Sequence, residues 1–264
     1  YVLKKLIFIS ALIIIGILSL FISVPSLFES NNEQIEVTDG IEAIEIDVQG
    51  VNTIIIPKDQ NSVKADVDGK GNVSVTKQGN TIEVEYDRKW FEQIFSFFDH
   101  TQLTITIPES FNRDLKLEVG SGNIHFQKAA EQMQLRQFDV EIGSGNVKID
   151  SLSADMGEFE VSSGNLNIKQ YAGQLEAEVS SGNLTIQMET LAAPIEADVS
   201  SGHLTLDLPD DADFTLDGKV SSGRILNNFT LQENQETNNS LRGTFGSGKH
   251  SIDLDVSSGV IELK

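Results

Sequence analysis

The stretch that decides the fold is Val161–Ile168, which reads Val-Ser-Ser-Gly-Asn-Leu-Asn-Ile and recurs along the chain. Close copies run over residues 179–186 and 199–206. The dipeptide Ser-Gly stands at Ser121, Ser144, Ser163, Ser181, Ser201, Ser222, Ser247 and Ser258, with gaps of 23, 19, 18, 20, 21, 25 and 11 residues. A period of this kind indicates a repeat architecture.

Each copy also has an internal pattern. Apolar and polar residues alternate on both sides of the Ser-Gly, which is the period of a β-strand. Across the Ser-Gly the alternation shifts by one position, so that the apolar residues move from every even to every odd position or the reverse. We therefore expect the chain to turn a corner there. Glycine would supply a positive φ, and the following Asn would tolerate the turn geometry. Each repeat therefore reads as a strand, a tight corner and a second strand.

Repeats of about 20 residues built from strands predict an all-β fold, a single-domain parallel β-solenoid over residues 41–264. Equivalent strands of successive coils would pair in parallel, about 4.8 Å apart. Residues 41–87 alternate without the clean motif and are interpreted as early coils of the same domain. The close pair Ser247 and Ser258 is interpreted as two corners of one terminal coil. A β-sandwich is the alternative fold.

The N-terminus has the composition of a membrane segment. Residues 6–24 contain no charged residue and follow Lys4 and Lys5. This predicts a single transmembrane helix within residues 1–28, contacting the membrane through residues 3–24, with a cytoplasmic N-terminus and the rest of the chain outside. A cleaved signal peptide and a buried core helix are the alternatives. The polar residues 29–40 are predicted to form a stalk.

Composition excludes several classes of function. The chain carries 19 Lys and Arg against 40 Asp and Glu, a net charge of −21, and it contains no Cys. The negative charge argues against nucleic acid as the main partner, and the absence of Cys excludes disulfides and thiolate metal sites. The four His are scattered, and all the repeated Ser occupy one corner position. We therefore predict no catalytic residues, no bound cofactor and no enzymatic activity.

An acidic ladder is the first candidate site. Positions five and three before each corner Ser point outward, and in four consecutive coils both are acidic: Asp139, Glu141, Glu158, Glu160, Glu176, Glu178, Glu196 and Asp198. The same interpretation places Asp217/Lys219 and Arg242/Thr244 between this ladder and Asp253/Asp255. Three roles are open: a solvated face that keeps the protein soluble, a surface that weakly gathers Ca²⁺, Mg²⁺ or cationic peptides, or a docking face for a basic partner.

An aromatic segment, residues 90–99, is the second candidate site. At about 100° per residue, one helical face would collect Trp90, Phe91, Ile94, Phe95, Phe97 and Phe98. Such a helix would cap the end of the solenoid, rest on the bilayer or bind a partner. A column of corner residues, Asn123, Asn146, Asn165 and Asn183, suits turn chemistry and is also able to bind sugars.

The run of Ser-Ser-Gly-Asn coils after an N-terminal anchor resembles the "putative adhesin" β-solenoid family, a domain of unknown function in bacteria, over about residues 41–264. The layout is also similar to that of LiaG-like anchored proteins, which are encoded with a cell-envelope stress system in Firmicutes. The resemblance implies a bacterial membrane location and brings no catalytic residues. We expect a non-catalytic accessory protein of the cell envelope that contacts a membrane-protein partner or cations. An adhesive or structural protein that binds wall polymer is the alternative.

Overall fold

Twenty β-strands build the part of the chain that the computed structural model describes, residues 34–87, 101–130 and 133–264. They are, in chain order, β1 (Gln34–Glu36), β2 (Ala43–Lys58), β3 (Ser62–Asp68), β4 (Asn72–Gln78), β5 (Thr81–Asp87), β6 (Gln102–Pro108), β7 (Asp114–Phe126), β8 (Gln134–Ile142), β9 (Asn146–Ile149), β10 (Leu152–Val161), β11 (Asn165–Val179), β12 (Asn183–Met188), β13 (Ile195–Val199), β14 (His203–Asp207), β15 (Phe214–Val220), β16 (Arg224–Asn227), β17 (Gln232–Glu236), β18 (Ser240–Phe245), β19 (His250–Val256) and β20 (Val260–Leu263).

Two of the predicted segments lie outside the described residues. These are the transmembrane helix within residues 1–28 and the aromatic helix of residues 90–99, and they stay predictions. Residues 29–33 of the predicted stalk also lie outside. Within the described ranges, no helix has the length and apolar character needed to cross a membrane.

The central repeats stack as coils, each with one strand before the Ser-Gly corner and one after it. The corner-preceding strands run in parallel register from β7 through β8, β10 and β11 to β13. The corner-following strands do the same from β7 through β9, β11 and β12 to β14. Backbone hydrogen bonds continue through the corners, as from Ser163 N to Gly143 O at 2.8 Å. The predicted parallel coils are confirmed, and the β-sandwich alternative is wrong.

The alternating residues of each strand separate a continuous apolar core from the outer surfaces. In β13, Ile195, Ala197 and Val199 are buried, while Glu196 and Asp198 between them are exposed. An aromatic column runs through the core, with ring centroids 6.2 Å apart from Phe126 to Phe138, 5.9 Å from Phe138 to Phe159 and 5.4 Å from Phe159 to Tyr171. All three contacts are edge-to-face, the geometry that aromatic quadrupoles favour.

The C-terminal coil is out of sequence order in the stack. Strand β13 pairs with β19, and β19 pairs in turn with β15. The corner-following strands agree, because β20 lies between β14 and β16. The last coil of the sequence is thus inserted between the two coils that precede it. The prediction of a terminal coil with two corners is wrong: Ser258 lies at a corner, whereas Ser247 lies in the connection from β18 to β19.

At the N-terminal end, too, the spatial order of the strands differs from their order in the sequence. Strand β2 contains the first corner of the chain and pairs with β7 on one side. On its other side, its first half pairs with β5 and its second half with β6. Strands β5 and β6 therefore belong to a coil outside β2, although they follow it in sequence.

Antiparallel strands extend the sheet at both ends of the stack. At one end β4 pairs with β5, β3 with β6, and β1 with β3. At the other end β18 pairs with β15, and β17 with β18. Added strands of this kind cover sheet edges that would otherwise pair with other chains. Two predictions are corrected here: residues 62–78 are not parallel early coils, and residues 34–36 of the predicted stalk are a strand of the sheet.

The corner glycines are explained by close stacking rather than by backbone conformation. Of the glycines at the stacked Ser-Gly corners, Gly122 alone has a positive φ, at 104°. A Cβ on Gly202 would lie 2.5 Å from the carbonyl oxygen of Gly182 and 2.5 Å from Cγ1 of Val179. Adjacent corners approach so closely that no side chain fits between them. The predicted positive φ is therefore confirmed at Gly122 and wrong at the other stacked corners.

Candidate functional site

The outer surface of the corner-preceding strands, here called the acidic face, carries two columns of charged side chains. Adjacent members are register partners on neighbouring strands. The first column runs through Glu85, Asp47, Glu118, Glu141, Glu160, Glu178, Asp198 and Asp255. The second runs through Glu83, Glu45, Lys116, Asp139, Glu158, Glu176, Glu196 and Asp253.

All eight acids of the predicted ladder lie in these columns, and the structure extends the ladder at both ends. Asp253 and Asp255 lie directly beside Glu196 and Asp198, because β19 pairs with β13. The rows that the sequence analysis placed between them lie beyond: Asp217 and Lys219 on β15, then Arg242 on antiparallel β18. The acids of β2 and β5 were missed because those strands lack the repeat motif. Their alternation of Ile or Val with Glu or Asp was the available signal.

Lys116 shows how the acidic face binds an ammonium group. Its Nζ lies 2.6 Å from Oε1 of Glu118 on its own strand and 3.0 Å from Oε1 of Glu141 on the next. Burial alone would lower the pKa of Lys116, but the hydrogen bonds to these two carboxylates raise it above its usual value. A cation placed between the two columns thus finds carboxylates from neighbouring coils within direct reach.

Several carboxyl groups of the acidic face are held in an unfavourable environment for charge. Burial raises the pKa of Asp47, and the neighbouring Glu118 and Glu85 raise it further. Burial likewise raises the pKa of Glu158 and of Glu160, with added repulsion from carboxylates one coil away. Like charges on adjacent strands destabilise a sheet. The columns therefore carry repulsion that a cationic ligand would relieve.

A groove of about 330 Å³ runs beside the corners on the acidic face. Four carboxylates line it, from Asp47, Glu118, Glu141 and Glu160. Among the residues that the structure describes, no three His, Asp or Glu side chains converge in a way that would hold a metal ion. The four groove carboxylates come from successive coils, so their negative charge extends along the stack.

The corner asparagines form a hydrogen-bonded ladder on the outer surface of the corner-following strands, here called the asparagine face. Each Nδ2 donates to Oδ1 of the preceding coil, at 2.7 Å for Asn183 to Asn165, 2.7 Å for Asn165 to Asn146 and 3.0 Å for Asn146 to Asn123. The ladder continues from Asn123 to Asn52 at 2.8 Å. The predicted column thus gains Asn52, which the sequence analysis missed because β2 has no Ser-Gly.

The predicted aromatic contact residues, Trp90, Phe91, Ile94, Phe95, Phe97 and Phe98, lie outside the described residues. In the chain they join β5 to β6, the corner-preceding and corner-following strands of the outermost coil. Other coils have a short corner at this point of the repeat.

Fold and surface together define a class: an all-β protein of stacked parallel coils, with one acidic and one amide-lined outer face. The chain belongs to the Toastrack DUF4097 family, whose sequence model matches residues 41–264. This confirms the domain family indicated by the Ser-Ser-Gly-Asn repeats.

Three solved structures are similar to this chain, each covering 88% of it. A "putative adhesin" of Bacteroides fragilis is 16% identical, with 95% of its own chain covered and a TM-score of 0.43. A "putative adhesin" of Parabacteroides distasonis is 14% identical, with 95% covered and a TM-score of 0.39. A "putative cell adhesion protein" of Clostridium sporogenes is 14% identical, with 97% covered and a TM-score of 0.33. No curated protein matches the chain.

Proposed function

We propose that this chain is a non-catalytic accessory protein of the bacterial cell envelope, whose toastrack domain binds a cationic segment of a membrane-protein partner through the acidic face. The uncharged run at residues 6–24, after Lys4 and Lys5, supports an anchor that holds the domain outside the membrane. Such a layout would resemble that of the LiaG-like anchored proteins. The aromatic residues 90–99 would provide a second contact with the membrane or with the same partner.

The observation that carries the proposal is the uninterrupted first column of the acidic face. It keeps a carboxylate on every corner-preceding strand in the spatial order β5, β2, β7, β8, β10, β11, β13 and β19. Two carboxylates about 4.8 Å apart repel by about 0.9 kcal/mol in water, and by more where the effective dielectric is lower. A column of this length accumulates that cost, and the bridge from Lys116 to two coils shows the kind of group that offsets it.

Binding of octalysine to the full chain in nanodiscs of zwitterionic lipid tests the proposal. We expect saturable binding that weakens as salt is added, because the contacts are ion pairs at the surface. The double variant Glu141→Gln/Glu160→Gln should bind octalysine roughly tenfold more weakly, since it neutralises two carboxylates of the groove.

The matched control is Glu189→Gln/Asp210→Asn, which changes the net charge equally at exposed positions away from the acidic face. It should leave octalysine affinity nearly unchanged. Equal weakening in both double variants would mean that octalysine responds to net charge alone, and the proposal would be wrong. Ca²⁺ should raise the melting temperature no more than NaCl of matched ionic strength, because the described carboxylates do not gather in threes in a way that would hold a metal ion.

A further inference from the structure

A second groove lies on the asparagine face, and its chemistry differs from that of the rest of the molecule. Its volume is about 690 Å³, within the range of about 300–1,000 Å³ that is usual for ligand sites. The asparagine ladder forms much of its lining, together with Ile54, His125 and Lys148. The described lining contains no Asp or Glu, although the chain has 40 of them.

The ladder presents a regular array of hydrogen-bonding groups to this groove. Each carboxamide between Asn123 and Asn165 uses one N–H and one oxygen lone pair within the ladder. A carboxamide has two N–H groups and two lone pairs, so a donor and an acceptor remain at each exposed rung. The rungs repeat at the strand spacing of about 4.8 Å, which is comparable to the length of one sugar ring.

A basic cluster borders the ladder. The Nζ atoms of Lys148 and Lys169 lie 3.2 Å and 3.3 Å from Oδ1 of Asp150, and Nε2 of His125 lies 2.7 Å from Oδ2 of the same carboxylate. The two lysine side chains are 44% and 54% exposed, whereas Asp150 is 24% exposed. The carboxylate thus lies beneath the ammonium groups and holds them in place, so the positive charge faces outward.

From this arrangement we propose that the groove binds an anionic glycan, a chain of sugar hydroxyls that carries carboxylates. The free amide groups pair with hydroxyls, Lys148 and Lys169 make charge-assisted hydrogen bonds to a carboxylate, and Ile54 supports the C–H face of a ring. The charge of this groove complements an anion, whereas the acidic face would repel it. The inference is independent of the proposed function, because the two grooves lie on different strands of each coil.

Calorimetric titration of the full chain in zwitterionic nanodiscs with tetragalacturonate tests the inference. We expect tetragalacturonate to bind roughly tenfold more weakly to the variant Lys148→Gln/Lys169→Gln, because this variant removes the two proposed ion pairs with the carboxylates of the glycan. A second variant, Asn146→Asp, should also weaken it, because it removes an amide donor and adds a negative charge. Both variants alter exposed or half-exposed side chains, and thermal melts check that they fold.

The matched control is Lys77→Gln/Lys249→Gln, which removes two exposed lysines distant in sequence from the groove and should bind tetragalacturonate as the unmodified chain does. No binding of tetragalacturonate would overturn the inference, as would equal loss in the control. Equally tight binding of neutral galactotetraose would also overturn it, because the lysines would then select nothing. Octalysine binding should persist in Lys148→Gln/Lys169→Gln, which separates this result from a failure of the proposed function.

Discussion

At the scale of single residues, the glycine of each Ser-Gly corner has a different physical cause from the one that the sequence suggests. A glycine at every corner, followed by Asn, is typical of a turn that needs positive φ. The structure gives ordinary φ values at most of these corners and a contact with the preceding corner that leaves no room for a Cβ. Stacking is a relation between distant residues, and the local pattern around one Ser-Gly does not contain it.

Substitution of Gly202 separates the two explanations. Gly202→Ala should lower the free energy of unfolding by about 2 kcal/mol, because its Cβ would meet the backbone of Gly182, which cannot move aside cheaply. Gly202→Asn should be at least as destabilising. If the corner required positive φ, Asn would be tolerated better than Ala. The control Gly40→Ala, with open space around its Cβ, should be neutral in denaturant melts.

At the scale of strands and coils, the acidic face links function to stability. Burial raises the pKa of Asp47, Asp139, Glu158 and Glu160 in the folded chain. A carboxyl group whose pKa is higher folded than unfolded binds more protons in the native state. Its favourable contribution is therefore present at low pH and is lost as the pH rises through the folded pKa.

Stability should accordingly increase as the pH falls from 7 towards about 5, near the upper end of the carboxyl titration range. At lower pH it should decrease again, because the pKa of Asp150 is lowered: burial opposes this, but hydrogen bonds from His125 and Lys148 outweigh it. Thermal melts across this range check the prediction. Glu158→Gln/Glu160→Gln should flatten the rise between pH 7 and 5, whereas Glu236→Gln on the outermost strand β17 should not. A melting temperature that falls steadily from pH 7 to 5 would contradict it.

Periodicity made the central coils predictable. Alternation placed Val, Ile and Leu in the core and Glu160, Glu178 and Asp198 on one outer surface, and the structure confirms both. The end strands were less predictable. Strands β3, β4 and β18 alternate as the coils do, so their pattern does not distinguish parallel from antiparallel pairing. Strand β17 is polar and exposed throughout, so it carries no alternation to read. That choice depends on which edge remains uncovered once the coils have stacked.

At the scale of the whole molecule, the order of the coils determines the length of the acidic face. In sequence order, β15 would follow β13, and Lys219 would interrupt the first column directly after Asp198. Insertion of β19 between them instead adds Asp255 to the column and moves Lys219 to its end. Because of this insertion, the core is completed only when residues 250–263 are in place, since they lie between two coils that come earlier in the sequence.

The most direct test of this account is disulfide formation between cysteine pairs, which the chain permits because it has no native Cys. Asp198→Cys/Asp255→Cys places two thiols on adjacent parallel strands, with Cα atoms about 4.8 Å apart, within the range of a disulfide. Asp198→Cys/Lys219→Cys places them two strands apart, beyond about 7 Å. Under mild oxidation we predict rapid crosslinking of the first pair and none of the second. Crosslinking of the second pair but not the first would show that the coils stack in sequence order, and the continuous acidic face would not exist.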